Sequence, residues 1–420
     1  MTRRSPVWHP FTQHGLEEPT PTIVRASGAL LHADDGRSFI DGISSWWVTT
    51  HGHAHPRIMA AIAEQAQKLD QIIFAGFSHE PAERLATALV DMMPRPLDHV
   101  FFSDSGSTSV EVSLKMALGY WANRGEPRHR ILVMDHSYHG DTIGAMSVGA
   151  RGVFNSAYAD LLFDVTSIPF PSTAREQETL DALETACRTE RPAAFIVEPL
   201  ILGAGGMLIY SAAVLAEMRA ICARHGVLFI ADEVMTGWGR TGTLLACEQA
   251  GVVPDILCLS KGLTGGSLPL AVTMASPVIF DAHYSTDRSR QFFHSSSYTA
   301  NPIACAAANA NLDIWRDEPV LDRIASLADR QAAGLARVAA LPGIADARRI
   351  GTIIALDLEV GNAGYLAAIG PTLKAFFMDR GLLLRPLGNT LYAMPPYCIT
   401  DAELGQIHEG IAEAILTPRP

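Results

Sequence analysis

Long apolar runs are missing from this chain, and that excludes one large class of protein. None approaches the roughly 18 residues of a membrane span; the longest, such as VLFIA at 227–231, have the length of a buried strand. The first ten residues, MTRRSPVWHP, contain no apolar stretch of the kind a secretory leader carries, so no signal peptide is expected. Positive charge is also scarce. There are 32 Lys+Arg against 44 Asp+Glu, a formal charge of −12, and only the Arg3-Arg4 pair is locally basic. Nucleic-acid binding needs clustered cations, so no nucleic-acid partner is expected. Six cysteines stand at 187, 222, 247, 258, 305 and 398 without a single C-x-x-C, which removes the zinc-ribbon and thioredoxin spacings. They read as reduced cytosolic thiols, several of them inside apolar strands. Neither a Gly-Lys-Ser/Thr phosphate loop nor a G-x-S-x-G elbow occurs, so P-loop and hydrolase chemistry lack their main signs. With 48% hydrophobic and 18% charged residues the composition is that of a folded chain. The expectation is a cytoplasmic small-molecule enzyme, long enough at 420 residues for two or so domains.

The pattern of apolar residues organises the chain. Residues 28–42 read as a hairpin, with ALLHA and SFIDG flanking the turn DDGR. Helical spacing follows at 56–69 and 81–93. From about 98 onward, short continuous apolar runs alternate with amphipathic stretches. The runs are VFF, ILVMD, FIVEPLI, VLFIADEV, ILCLS and LAVTMAS; helices are predicted at 107–122 and 211–224. Apolar strands separated by helices indicate an α/β fold with a mainly parallel sheet covered on both faces. A long helical stretch from 302 to 340 precedes a smaller α+β pattern: IIALDLEV, a helix at 372–380, LLLRPL, LYAMPP and a last helix. Thr400 and Glu403 mark the start of that helix as a capping box. We divide the chain into an N-terminal segment of a small domain (1–56), a large domain (57–315) and the remainder of the small domain (316–420).

Ligands of open α/β sheets bind at the carboxyl ends of the strands, and four features fall there. SDSGSTSVE (103–111) joins a strand to a helix through a Gly/Ser turn; Ser105, Gly106 and Ser107 could offer hydroxyls and N–H groups to a phosphate. A plain capped turn would read the same way. Asp232-Glu233 follows the strand VLFIA. Lys261 emerges from ILCLS into the Gly-rich KGLTGG, where desolvation would favour the neutral amine of a Schiff-base nucleophile; a snorkelling surface lysine is the alternative. Tyr138, in YHG after ILVMD, is an aromatic at the same sheet edge. A phosphate cup, an acid, an aldehyde-reactive lysine and a stacking aromatic together suit pyridoxal phosphate.

Competing motifs fit less well. His51, His53 and His55 (HGHAH) mimic a metal cluster, but no carboxylate or thiol accompanies them at a familiar spacing, so no metal is expected. GAGGML (203–208) imitates a dinucleotide loop, yet Leu208 occupies the third glycine position and no clear helix follows. The adjacent Trp46 and Trp47, near Gly- and His-rich turns, are read as walls of a pocket.

These motifs place the chain in known company. It resembles the class III, fold-type I aminotransferases nearly from end to end, through DSGSTSVE (104–111), YHGDT (138–142), ADEVMTGWGRTG (231–242), DILCLSKGLTGG (255–266) and ANPIACAAA (300–308). WHPFT (8–12), DGISSWWVTTHGHAHP (41–56), RPLG (385–388) and MPPY (394–397) are similar to the branch of that class that serves biotin synthesis. The resemblance implies a seven-stranded-type sheet and a site in which Lys261 carries pyridoxal phosphate and transfers protons. It implies that Asp232 binds the pyridine nitrogen, that Tyr138 covers the ring, and that Ser105, Gly106 and Ser107 hold the phosphate. In this family a second subunit completes that phosphate site. HSSSY (294–298) stands at the matching place, so Ser296 and Ser297 would take the part, with Ser295 near the substrate, and a homodimer is implied. Arg385 would bind a substrate carboxylate, and Phe11, Trp46, Trp47 and Tyr392 would line the substrate cavity. Arg240 is read as structural or pocket-lining.

Two departures from the class pattern bear on the substrates. Members that use glutamate or ornithine pair a glutamate with an arginine shortly before a Pro-Pro; here Glu198 is present but Tyr392 stands in the arginine's place. That favours the biotin branch, in which 8-amino-7-oxononanoate accepts an amino group. Enzymes that take the group from S-adenosylmethionine commonly have WHPYT, and this chain has Phe11. Lysine therefore stands as the alternative donor. Further alternatives are an ω-amine or β-amino acid transaminase using pyruvate, and an aminomutase on the same fold.

Overall fold

The computed structural model describes residues 5–417; Arg3 and Arg4 lie outside the described residues. Its largest sheet has seven strands in the order His99–Ser103, Ala271–Ala275, Ile256–Leu259, Leu228–Asp232, Ala194–Val197, Ile131–Met134 and Thr166–Ile168. All run parallel except Ala271–Ala275, which is antiparallel to both its neighbours. The inner strands are continuously buried because both faces are covered. Alternate side chains divide between two cores: Phe229 and Ala231 with Leu257 and Leu259 on one side, Leu228 and Ile230 with Ile256 and Cys258 on the other. The period of two is the pleat of the strand.

Both ends of the chain combine in one smaller sheet, and the C-terminal part forms another. Ile23–Ser27, Leu30–Ala33 and Ser38–Asp41 form an antiparallel set to which Leu382–Leu383 adds in parallel. Ile344–Ile350, Ile353–Leu358 and Thr390–Ala393 form another. A third core joins Ile40, Ile43 and Trp47 to Ile354, Leu382, Tyr392 and Ile407. The final helix, Asp401–Leu416, begins with the reciprocal Thr400–Glu403 bonds expected of it.

Several local readings differ from the structure. The helical stretch 302–340 is two helices, Pro302–Asp317 and Val320–Val338. Pro319 lacks an N–H and disfavours helix in the residue before it, and Glu318 is extended. FIVEPLI divides at Leu200 (φ 65°): Ala194–Val197 belongs to the large sheet, and Ile201–Leu202 turns back on Leu208–Ile209. GAGGM therefore lies in a hairpin turn. Of the five buried cysteines only Cys258 is in a strand; Cys187, Cys222 and Cys305 lie in helices and Cys247 in a 3-10 turn. Among the described residues no helix is long and apolar enough to cross a membrane.

Candidate active site

Parallel strands place their carboxyl ends along one sheet edge, so the residues that follow them converge. A cleft of about 420 Å³ opens there, and Ser105, Gly106, Ser107, Tyr138, Glu198, Asp232 and Lys261 line it together. The N-terminal and C-terminal parts contribute Phe11, Trp46, Trp47, Arg385 and Tyr392. A second cleft of about 410 Å³ adjoins it across Tyr138, Phe154 and Tyr365.

The strand His99–Ser103 leads to Ser105, whose hydroxyl accepts from Thr108 N at 3.2 Å while Thr108 Oγ1 accepts from Ser105 N at 2.9 Å. This capping box starts the helix Gly106–Asn123 and aims its first N–H groups at the cleft, an arrangement suited to an anion. Two glycines keep the cup open. A Cβ on Gly106 would meet Val234 Cγ1 at 2.6 Å. One on Gly140, at φ 126°, would lie 2.0 Å from Ser107 Oγ.

Asp232 closes its strand with both carboxylate oxygens engaged: Oδ1 accepts from Val234 N at 3.1 Å, and Oδ2 is 2.7 Å from His139 Nδ1. His139 is buried, and its Nε2 has no partner among the described residues. YHG sets it beside Tyr138, but no local pattern in the sequence links it to Asp232, 93 positions later.

Lys261 follows Leu259 through Ser260 and adopts φ 44°. Its ammonium lies 5.0 Å from the centroid of Trp47 and makes no ion pair within 4 Å among the described residues. Burial pulls its pKa down to about 8, with Arg240 adding to the fall and Asp232 and Glu198 opposing it. Glu198 moves the other way, to about 7, chiefly through burial and then through Asp232. Backbone N–H groups of Tyr138 and Gly203 donate to its two oxygens at 3.0 Å each. Burial also raises the Tyr138 phenol, as does the neighbouring Asp141.

The far wall is aromatic. Trp47 Nε1 donates to the Tyr392 hydroxyl at 2.9 Å. Phe11 lies 5.6 Å from the Trp46 ring, and its carbonyl accepts from Arg385 Nη2 at 3.2 Å. The Arg385 guanidinium stands 5.3 Å from the Trp46 ring and has no carboxylate partner among the described residues. Arg240 is buried and donates to the carbonyls of Thr49, at 2.9 Å, and Pro395, at 3.2 Å.

Ser295, Ser296 and Ser297, expected to serve the site of a second subunit, do not line this cleft. Ser295 and Ser297 are exposed, and Ser296 is half-buried. The Ser297 carbonyl accepts from Gln71 Nε2 at 2.7 Å. Of the HGHAH histidines, His51 contacts Asn311 at 2.9 Å and His53 contacts Asp41 at 2.7 Å, while His55 Nδ1 has no hydrogen-bond partner among the described residues.

The cleft fits pyridoxal 5′-phosphate. An open cup at a helix start, a buried aspartate three strands along the sheet and a buried lysine with a lowered pKa match its phosphate, ring nitrogen and aldehyde. Comparison with known proteins points the same way. The family described as aminotransferase class-III matches residues 12–415. An adenosylmethionine-8-amino-7-oxononanoate aminotransferase of Synechococcus elongatus is 50% identical over 97% of this chain and 98% of its own length. A solved structure of the same-named enzyme from Methanocaldococcus jannaschii superposes with a TM-score of 0.93, at 33% identity over 98% of this chain and 96% of that one. An amine transaminase from an uncultivated Pseudomonas species, solved with pyridoxal phosphate bound, gives a TM-score of 0.92, at 32% identity over 99% of both chains. The chain belongs to the class III aminotransferases and is a pyridoxal-phosphate-dependent enzyme of the fold-type I architecture.

Proposed function

We propose that this aminotransferase acts in biotin biosynthesis, converting 8-amino-7-oxononanoate to 7,8-diaminononanoate with S-adenosylmethionine as amino donor. The observation that carries the reading is Arg385: a guanidinium at the cleft, beside Trp46, with no carboxylate partner among the described residues. A planar fork of donors so placed suits the carboxylate of a long keto acid, and the aromatic wall suits its chain. Glu198 and Tyr392 support the same choice, since among the described residues no arginine meets the glutamate to bind a second carboxylate.

Pyridoxal phosphate, when bound, supplies an aldehyde that captures a primary amine and a ring that accepts negative charge from the carbon bearing it. Lys261 Nζ would take a proton from that carbon and deliver it to the carbon that was the cofactor's aldehyde, a task suited to an amine with a pKa near working pH. Asp232 would accept a hydrogen bond from the ring nitrogen and favour its protonated form. Tyr138 would cover the ring face, and Ser105, Gly106 and Ser107 would hold the phosphate. Ser296 and Ser297 of a second copy would complete that cup, with Ser295 beside the substrate, which makes the working unit a homodimer.

Phe11 lines the cleft without a hydroxyl, and lysine is the alternative donor. The likeness to the amine transaminase motivates the second reading, an ω-amine donor with pyruvate. Purified protein should be supplied with 8-amino-7-oxononanoate and, in turn, S-adenosylmethionine or lysine, with pyruvate plus an ω-amine as the rival pair. The expected result is diaminononanoate formation with the first donor, abolished in Lys261→Ala and with a raised KM for the keto acid in Arg385→Ala. Turnover of the rival pair alone would overturn the biotin assignment.

A further inference from the structure

The segment that carries the two tryptophans is bent into backbone conformations that side chains rarely accept. Ser44, Ser45 and Trp47 have φ of 53°, 58° and 66°. Ser45 also has ψ −93°, close to the rare γ-turn region with positive φ. Such a cluster persists only where its surroundings over-determine it.

One carboxylate takes two of the segment's backbone N–H groups. Asp41, at the end of the strand Ser38–Asp41, is fully buried. Its Oδ1 accepts from Ile43 N at 3.2 Å, and its Oδ2 accepts from Ser45 N at 2.7 Å. His53 Nε2 lies 2.7 Å from the same Oδ2 and orients the group. Ser44 Oγ adds a bond to the Met394 carbonyl at 2.8 Å. The bent segment sends adjacent side chains to different tasks: Trp46 is 43% exposed beside Phe11 and Arg385, while Trp47 is buried against Tyr392 and Lys261. Asp41 does not itself line the cleft.

We propose that Asp41, oriented by His53, is a positioning residue for the substrate wall: it holds residues 43–47 in the shape that directs Trp46 and Trp47 into the cleft. The proposal rests on the reading of that wall as the acceptor-substrate site. Asp41→Asn keeps the volume but replaces one acceptor oxygen with a donor, which opposes the Ile43 N–H if it takes the place of Oδ1 and the Ser45 N–H if it takes the place of Oδ2. In the pyridoxal-phosphate-loaded enzyme, Asp41→Asn should raise KM for 8-amino-7-oxononanoate roughly tenfold to a hundredfold, the range set by one lost charge-assisted hydrogen bond. Both kcat and the affinity for pyridoxal phosphate should change by less than about threefold, because the lost bond lies away from both. Amide hydrogen exchange should quicken in 43–47 but not in 106–123. His53→Gln, whose amide can still donate to Oδ2, should stay close to the parent in KM; His53→Ala should follow Asp41→Asn.

An Asp41→Asn enzyme with parental KM and parental exchange would overturn the proposal. So would a variant in which cofactor affinity and exchange throughout the chain change as much as KM, since Asp41 would then be an ordinary structural residue. If Asp41→Asn does not fold, the His53 pair decides: equal KM in His53→Gln and His53→Ala overturns the idea. A parent enzyme inactive on 8-amino-7-oxononanoate would sink the functional reading instead. The positioning role would then be judged by the same ratios for whichever acceptor is turned over.

Discussion

Lys261 shows how a single residue acquires its chemistry from its place. A lysine in water is almost wholly protonated at neutral pH, and the protonated amine cannot attack an aldehyde. Here burial brings the pKa to about 8, against an ordinary value of 10.5. At pH 7 the neutral fraction rises from roughly 0.03% to roughly 10%, by the ordinary titration relation. Raising the pH deprotonates the amine, so capture of pyridoxal phosphate by cofactor-stripped protein should accelerate with pH and level off above a midpoint near 8. Stopped-flow absorbance would follow it, and a midpoint near 10 would show that the lysine is not desolvated. Lys261 was legible as a candidate because it directly follows an apolar strand. His139 was not, because its contact with Asp232 spans 93 positions and no local period marks it.

Helix starts show the same element in two settings. Gly106–Asn123 and Asp401–Leu416 both begin with a capping box, but only the first opens into the cleft. Removing either cap hydroxyl should cost about 1 kcal/mol of stability. Thr400→Ala should do no more than that. Ser105→Ala should also weaken cofactor binding, since it loosens the N–H groups offered to the phosphate. Urea unfolding alongside cofactor titration separates the two, and equal cofactor affinity in both variants would remove Ser105 from the phosphate cup. Elements with a strong pattern were readable in this way: the buried strands, the hairpin after residue 28 and the last helix. Ile344–Ile350 escaped notice because it is a half-exposed strand with charges at 346, 348 and 349, so neither continuous apolarity nor clean alternation marks it. The break at Glu318-Pro319 was missed because helical spacing continues on both sides of it.

At the scale of the molecule, the N-terminal and C-terminal parts share a core that also packs buried histidines. His408 is enclosed, with Nε2 donating to Gln331 Oε1 at 2.8 Å, and burial lowers its pKa to about 4. A histidine depressed in the folded state binds its proton first in the unfolded state. Its contribution is therefore intact above about pH 6.5 and lost progressively as pH falls toward 4. The loss is on the order of 3 kcal/mol at its limit. Glu198, raised to about 7, shifts stability the opposite way over much of the same range. A direct comparison with His408→Gln removes that complication, because the amide still donates but cannot be protonated. The variant should gain on the parent as pH falls from 6.5 to 4, read by denaturant unfolding of the cofactor-free protein. A constant difference between the two across that range would refute the burial argument.

By itself the sequence determined the strands and the residues at their ends. These are local matters: a continuous apolar run must be buried, and a lysine, aspartate or Gly/Ser turn that follows it comes out at the sheet edge. Tertiary structure alone decided which of those residues meet. His139 reaches Asp232, Trp47 reaches Tyr392 and Ser44 reaches Met394, the last two across 345 and 350 positions. Such pairs depend on the order in which strands lie side by side and on how the chain's two ends pack together. Both are settled by burial across the whole molecule and leave no periodicity in the chain to be read.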